Sequence, residues 1–167
     1  GLLTALIFVV MSYTAITGKA RTEHEKPSTL NGLDFAKRQY PDEVLAIQWL
    51  RSNTDRDAII VEATGSAYTD FGRISAWTGI PTIIGWDQHE QLWREHRTEI
   101  DKRIAEVDSL YQGLSQNAAL SILRKYGVSH VYVGRLERQK YGPHVDDIFT
   151  WMSVIFEVPD SVTVYKV

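Results

Sequence analysis

The apolar positions of the chain fall into short blocks whose spacing predicts alternating helices and strands. Apolar residues at helical spacing follow Pro41 and two acidic residues, which predicts a helix that begins at the proline, where a missing N–H is harmless and acids favour the first turn. Residues 58–63, 82–85 and 129–134 are short, mostly β-branched runs and indicate buried strands. Since helical segments separate them, we expect these strands to pair in parallel.

Helical periodicity returns after the second of these runs. Residues 89–111 predict one or two helices. The inward-facing stripe of this region is Ile100, Ile104, Val107 and Leu110 or Tyr111. A further helix is expected from Ser115, a favourable cap, to Tyr126, before Gly127.

The end of the chain has the pattern of a hairpin. Residues 153–158 and 162–167 are apolar or alternating and flank Pro159–Asp160, which predicts a C-terminal β-hairpin. The fold class that follows is α/β, as a single three-layer domain with a partly parallel sheet and helices on both faces. Trp49 and Val131 are expected to point into its core.

The amino end is almost uninterrupted apolar sequence, and its first charged residue is Lys19. The run is shorter than the roughly 20 apolar residues that cross a bilayer, so it predicts the end of a transmembrane helix, with a signal-peptide core as the alternative. The predicted organisation is a transmembrane helix end at 1–17, a linker at 18–32 and a soluble α/β domain at 33–167.

Composition excludes several classes of function. The 167 residues contain 18 Lys and Arg against 21 Asp and Glu, and the net charge of −3 argues against a general nucleic-acid binder. The sequence has no cysteine, which removes disulfides, thiolate catalysis and cysteine-based zinc sites.

Residues 68–94 combine aromatic rings with charged side chains. This mixture suits recognition of a polar, hydroxyl-bearing or anionic partner, and an aromatic mini-core with a charged rim is the alternative. Trp86, Trp93 and Arg94 are candidates for a sugar-stacking face. The same residues could instead seal the domain against a membrane region, because Trp and Arg favour that interface.

Glu62 follows the first strand and precedes a turn. It is a candidate to orient a sugar hydroxyl or to act as an acid or base, and the alternative is a carboxylate that accepts turn amides. Asp70 and Arg73 are three residues apart, with Tyr68 nearby, and this spacing predicts a local ion pair.

His89 and Glu90 resemble part of a metal site. The zinc motif His-Glu-x-x-His fails, however, because position 93 is Trp and the next histidine is His96. We therefore predict no metal ligands in this chain, and His89 and Glu90 remain candidates for ligand binding.

Arg135 and Arg138 follow the third predicted strand, together with Tyr141. A phosphate or an anionic lipid headgroup would suit this basic group. A solvated face is the alternative, since Glu137 partly neutralises the positive charge. The two glycine-rich nucleotide fingerprints are missing from the sequence, because its glycines are spaced too widely.

A series of short segments, in order along the chain, carries a family pattern. They are LNGL at 30–33, AIQWL at 46–50, EATGSAY at 62–68, GRIS at 72–75, TGIPT at 78–82, GWDQHE at 85–90, VDSLY at 107–111, LRKYGV at 123–128, VYVG at 131–134, LER at 136–138 with Tyr141, and VYKV at 164–167. This pattern resembles the carboxy-terminal part of the DUF2298 (Chlor_Arch_YYY) family of archaeal and bacterial multi-pass membrane proteins. The segment around residues 149–152 departs from it.

The resemblance implies a GT-C-type membrane glycosyltransferase-like parent that uses lipid-linked sugar. In that class the acidic catalytic residues lie largely in early membrane helices, so the resemblance implies no catalytic residue here, no cofactor in this fragment, and room for a divalent metal in the missing membrane part. The expected partners are the protein's own membrane region, a polyprenyl-phosphate sugar or glycan and the lipid bilayer, but no nucleic acid. We expect an extracytoplasmic accessory domain at a membrane. The alternative is a noncatalytic glycan- or lipid-headgroup-binding or structural module.

Overall fold

The computed structural model describes residues 6–15, 31–94 and 97–167. The chain divides into two compact units, Gly1–Phe35 and Ala36–Val167. The first unit contains helix α1, residues 6–15, whose side chains are mostly exposed. Over the described residues, no helix has both the length and the apolar character needed to span a membrane. Residues 18–30 of the predicted linker and parts of the segment 1–17 lie outside the described residues.

The carboxy-terminal unit is a mixed α/β structure. Helix α2, Leu33–Gln39, crosses the boundary between the two units. The elements that follow it are α3 Pro41–Asn53, β1 Ile60–Val61, α4 Arg73–Thr78, α5 Asp87–Arg94, α6 Arg97–Gly113, α7 Gln116–Lys125, β2 His130–Val133, α8 Arg135–Tyr141, a 3₁₀ helix Val145–Phe149, β3 Ser153–Val158 and β4 Val162–Lys166. The strands form one sheet in the order β1-β2-β4-β3. β1 and β2 pair in parallel, whereas β4 pairs antiparallel with both β2 and β3. The α/β class and the partly parallel sheet are confirmed.

The strand predicted at 82–85 is reduced to a single parallel bridge between Ile60 and Thr82. The backbone beyond this bridge bonds to side chains rather than to a neighbouring strand. The carbonyl oxygen of Ile83 accepts a hydrogen bond from Arg103 at 3.2 Å, and the N–H of Gly85 donates to the Glu90 carboxylate at 2.9 Å. The side chains of Ile83 and Ile84 are therefore buried in the core, but the run does not extend the sheet.

Helices cover both faces of the sheet. Val61 and Val131 share a core cluster with Val107 on α6 and Leu123 on α7. Because side chains alternate along a strand, Tyr132 points to the opposite face, where α3 contacts β3 and β4.

The predictions for the helices and the hairpin are also confirmed. α3 begins at Pro41, α5 and α6 fill the region predicted as one or two helices, and α7 follows Ser115. β3 and β4 form the C-terminal hairpin, with a register shift between Val154 and Phe156. The short helix α4, helix α8 and the 3₁₀ helix had no sequence prediction.

Trp49 corrects one expectation about the core. Ala46, Ile47 and Leu50 form the buried side of α3, whereas Trp49 is only half-buried. Its ring lies over Phe156 of β3, with the ring centroids 5.4 Å apart. Trp49 covers the margin of the sheet, and the prediction that it points fully into the core is wrong.

Candidate ligand-binding cleft

The carboxyl ends of β1 and β2 meet at one edge of the sheet because the two strands are parallel, with Val61 opposite Val131. The chain leaves β1 through Glu62 and leaves β2 into α8 at Arg135. Loops from distant parts of the sequence therefore converge at this edge, which is where α/β proteins commonly bind ligands.

A cavity of about 420 Å³, here called the tryptophan cavity, is formed within the segment that follows β1. Its walls are mainly aromatic rings and small residues, and its polar groups include a carboxylate and hydroxyls. The lining residues are Thr69, Asp70, Phe71, Gly72, Arg73, Ser75, Ala76, Trp77, Thr82, Gly85 and Trp86. The volume falls in the range of about 300–1,000 Å³ that is typical of small-molecule sites.

Two aromatic side chains, those of Tyr68 and His89, lie against Trp86. The ring centroids of Tyr68 and Trp86 are 5.6 Å apart, and His89 lies edge-on to both rings at 5.0 and 5.2 Å. The Trp86 indole N–H donates to the carbonyl oxygen of Phe71, which fixes the ring on the cavity wall. Tyr68 has a left-handed backbone, with φ of 60°, and is 84% exposed. All three residues belong to the 68–94 region that the sequence singled out.

A cluster of buried charges lies behind the cavity. Arg73 donates to both oxygens of Glu43 at 2.9 and 2.6 Å and to Glu137 at 3.3 Å. Glu62 is 4.0 Å from the same guanidinium. All four side chains are at least 96% buried, and the guanidinium lies 5.4 Å from the centroid of the Tyr132 ring. Burial would lower the pKa of Arg73, but the carboxylates of Glu137 and Glu43 outweigh it and raise that pKa well above the usual range.

Glu62 anchors the start of α4. Its two carboxylate oxygens accept the N–H groups of Ile74 and Ser75 at 3.0 and 2.8 Å. Burial raises the pKa of Glu62 to about 7, despite the opposing attraction of Arg73 and the two N–H donors. The geometry therefore matches the structural alternative for Glu62, a carboxylate that accepts backbone amides.

Glu137 joins the two parallel strands at the same edge. Its oxygens accept the N–H of Ala63 after β1 and the N–H of Gly134 after β2, both at 2.9 Å.

In the part of the chain that the structure describes, the Nη1 atom of Arg73 and the Tyr132 hydroxyl are buried without a hydrogen-bond partner. The buried cluster therefore has capacity for further hydrogen bonds.

The ion pair predicted between Asp70 and Arg73 is wrong. Arg73 turns inward to the buried carboxylates, and Asp70 instead binds Arg135 at 2.9 Å. A buried bidentate partner on α3 fits the planar guanidinium better than a carboxylate three residues away. The Asp70–Arg135 contact links the 68–94 region with the segment after β2.

The remaining basic and tyrosine candidates have structural partners. Arg138 donates to both oxygens of Asp146 at 2.9 Å. The Tyr141 hydroxyl donates to Asp108 at 2.7 Å, and burial is the largest cause of the raised pKa of Tyr141. These residues join α8 to the 3₁₀ helix and to α6. Of the predicted basic patch, Arg135 contacts Asp70 on the wall of the tryptophan cavity.

The last candidates lie on α5. Glu90 accepts the N–H of Gly85 and so closes the loop before the helix. Trp93 is 81% exposed, next to the exposed Leu92. The side chain of Arg94 lies outside the described residues. Among the described residues, no group of three or more His, Cys, Asp or Glu side chains could hold a metal ion.

Sequence reasoning missed Glu43, Glu137 and Trp77. Glu43 had a signal, because it lies on the same helical side as Ala46, Ile47 and Leu50, and a carboxylate on an apolar stripe needs a buried partner. Glu137 and Trp77 had no comparable signal, since α8 and α4 are short helices without a clear period.

No family model matches the chain, and none of the curated proteins matches it significantly.

Proposed function

We propose that this chain is a noncatalytic, extracytoplasmic accessory domain of a membrane glycosyltransferase-like protein, and that its tryptophan cavity holds the sugar of a polyprenyl-phosphate donor or glycan. The membrane context rests on the sequence resemblance to the DUF2298 family. The binding role rests on the cavity itself.

The observation that carries the binding proposal is the composition of the cavity wall. Phe71, Trp77 and Trp86 offer ring faces to the apolar C–H faces of a pyranose, while Asp70 and Thr69 offer oxygen atoms for sugar hydroxyls. Aromatic surface with a few oriented polar groups is the general pattern of small-ligand sites. The indole of Trp86 is held by its hydrogen bond to Phe71, so little ordering is needed on binding.

The absence of catalysis is proposed because the carboxylates at this edge already have structural partners. Glu43 and Glu137 bind Arg73, and Glu62 binds two backbone N–H groups. A general acid or base must reach the proton that it transfers. Buried carboxylates that hold helices and loops in place do not meet that condition.

A contact with lipid headgroups is the second candidate, and the exposed side chains of Leu92 and Trp93 on α5 favour it. Trp is enriched at membrane interfaces because its ring is apolar and its N–H is polar. In this alternative α5 meets the bilayer surface, and the tryptophan cavity has no sugar ligand.

Isothermal titration of the full chain with farnesyl-phosphate hexoses and with methyl hexosides tests the proposal. The detergent should have no sugar head group, since such a head group would compete for the cavity. Trp86→Ala should weaken binding at least about tenfold, which corresponds to about 1.4 kcal/mol. Trp49→Ala is the matched control, since Trp49 does not line the cavity, and it should bind as the unchanged protein does.

Equal binding by the Trp86 and Trp49 variants would contradict the assignment of the cavity. Binding to phosphocholine vesicles that is lost on Leu92→Ser and Trp93→Ser, without binding to any sugar, would support the lipid alternative. Steady transfer or hydrolysis of the lipid-linked sugar by the purified chain would contradict the noncatalytic role.

A further inference from the structure

A second cavity, here called the Arg135 cavity, lies between the start of α3, helix α8 and the β3–β4 turn and has a volume of about 430 Å³. It is more polar than the tryptophan cavity and includes one aromatic ring, that of Tyr40. Its lining residues are Gln39, Tyr40, Pro41, Asp42, Glu43, Arg135, Arg138, Asp160 and Ser161.

Two ion pairs separate the two cavities. Asp70 lines the tryptophan cavity and Arg135 lines the second cavity, and their side chains are 2.9 Å apart. Arg73 and Glu43 likewise line opposite cavities and are joined at 2.6 Å. The two spaces therefore share a wall that is one pair of side chains thick.

Arg135 is positioned to bind a ligand in the second cavity. Its guanidinium lies 4.0 Å from the centroid of the Tyr40 ring, and one of its nitrogens binds Asp70. Its Nε atom is buried and, within the described ranges, has no hydrogen-bond partner. A buried donor of this kind is costly unless a ligand or water accepts its proton.

The charges of the second cavity favour a neutral ligand with many hydroxyl groups. Arg138 pairs with Asp146, and Glu43 shares the Arg73 cation with Glu137. The carboxylates of Asp42 and Asp160 remain on the wall beside Arg135. They would repel a phosphate or a uronate, whereas sugar hydroxyls can donate to them and accept from the Nε–H of Arg135.

We propose that the Arg135 cavity is a second saccharide subsite, so that the ligand is an oligosaccharide whose neighbouring sugar units occupy both cavities. This inference rests on the proposed function of the tryptophan cavity. Tyr40 stacks one pyranose, Arg135 and the two aspartates bind its hydroxyls, and the Asp70–Arg135 pair lies under the glycosidic linkage.

Titration of the full chain with cello-, malto- and mannooligosaccharides of one to four units tests the proposal. Affinity for the bound series should rise at least about tenfold from the monosaccharide to the longer members, because one or two hydrogen bonds and a ring contact are added. Tyr40→Leu should remove this gain and leave monosaccharide affinity within about twofold. Arg135→Gln also frees Asp70 of the tryptophan cavity and should remove the gain whatever its effect on the monosaccharide. Arg124→Gln, at an exposed arginine on α7, is the matched control and should keep the gain.

The outcomes separate the two proposals. If a monosaccharide binds in a Trp86-dependent way and affinity does not depend on length, the second subsite is refuted and the proposed function stands. If the length gain persists in both the Arg135 and the Tyr40 variants, the second subsite is also refuted. If no member of the three series binds but a farnesyl-phosphate hexose does, the second subsite is refuted and the proposed function stands. If none of these sugars binds, both proposals fail.

Discussion

Glu62→Gln is the perturbation whose effect the structure specifies most fully. The Glu62 carboxylate is completely buried, accepts two N–H groups at the start of α4 and lies 4.0 Å from Arg73. Glutamine has nearly the same shape and cannot ionise. The substitution therefore separates the charge of Glu62 from its packing.

The magnitude follows from the pKa of Glu62, which burial raises from 4.5 to about 7. Below pH 4.5 the group is protonated in the folded and unfolded states and adds no pH dependence. Between pH 4.5 and 7 the unfolded chain has lost a proton that the folded state keeps, so folding stability falls as pH rises. At about 1.4 kcal/mol per pH unit, the loss is about 3 kcal/mol and is complete above pH 7.

The Glu62→Gln substitution removes the pH-dependent loss of folding stability and adds a loss that is the same at every pH. The glutamine oxygen can accept only one of the two N–H groups, and its NH₂ group faces the other, which costs about 1–3 kcal/mol at every pH. Relative to the unchanged protein, the free energy of unfolding of the variant should therefore rise by about 2.5 kcal/mol from pH 5 to pH 8, since part of the loss is already complete at pH 5.

Urea unfolding of both proteins at pH 5, 6, 7 and 8, followed by near-ultraviolet circular dichroism, measures the difference. Glu106→Gln is the control of opposite sign. Burial raises the pKa of Glu106, but hydrogen bonds from Lys125 and Tyr126 outweigh it and leave the pKa below 4.5. The ionised Glu106 carboxylate therefore stabilises the folded state throughout pH 5 to 8. Glu106→Gln should lose the same amount of folding stability at each of these pH values. A stability difference for Glu62→Gln that does not change over this range would refute the reasoning.

The other predictions concern packing and the buried charges. Arg73→Leu should destabilise the protein by at least about 3 kcal/mol in urea unfolding, because it leaves buried carboxylates without their cation, and a loss under about 1 kcal/mol would contradict the cluster. Trp49→Ala should cost only about 2 kcal/mol, since the ring is half-buried, and a cost above about 4 kcal/mol would show full burial. Gly65→Ala should weaken sugar binding with a measurable change in calorimetric affinity, because its Cβ would lie 2.0 Å from the Phe71 ring, and unchanged affinity would show that this ring is not part of the wall.

The sequence predicted those parts of the fold that depend on local period and on turn residues. α3, α7 and the hairpin each had a clear apolar pattern and a recognisable boundary. The strand at 82–85 was overpredicted, because an apolar run carries no information about where its backbone hydrogen bonds go. Here they go to the side chains of Arg103 on α6 and Glu90 on α5.

The candidate site was predictable only in its aromatic half. The proximity of Tyr68, Trp86 and His89 follows from their occurrence in one loop region. The partner of Arg73 was not predictable, because Glu43 lies 30 residues away and meets it only when α3 packs beside α4. Which of several carboxylates pairs with Arg73 depends on how the helices pack, and a local sequence pattern does not contain that information.

The most direct test of the saccharide-binding account is a ¹H–¹⁵N nuclear magnetic resonance titration that follows the indole N–H signals of the full chain. Trp77 and Trp86 line the tryptophan cavity, whereas Trp49 lies over Phe156, outside it. On addition of the best-binding oligosaccharide, the account predicts shifts of the Trp77 and Trp86 signals and an unchanged Trp49 signal. Unchanged Trp77 and Trp86 signals at saturating sugar, or an equal shift of the Trp49 signal, would contradict it.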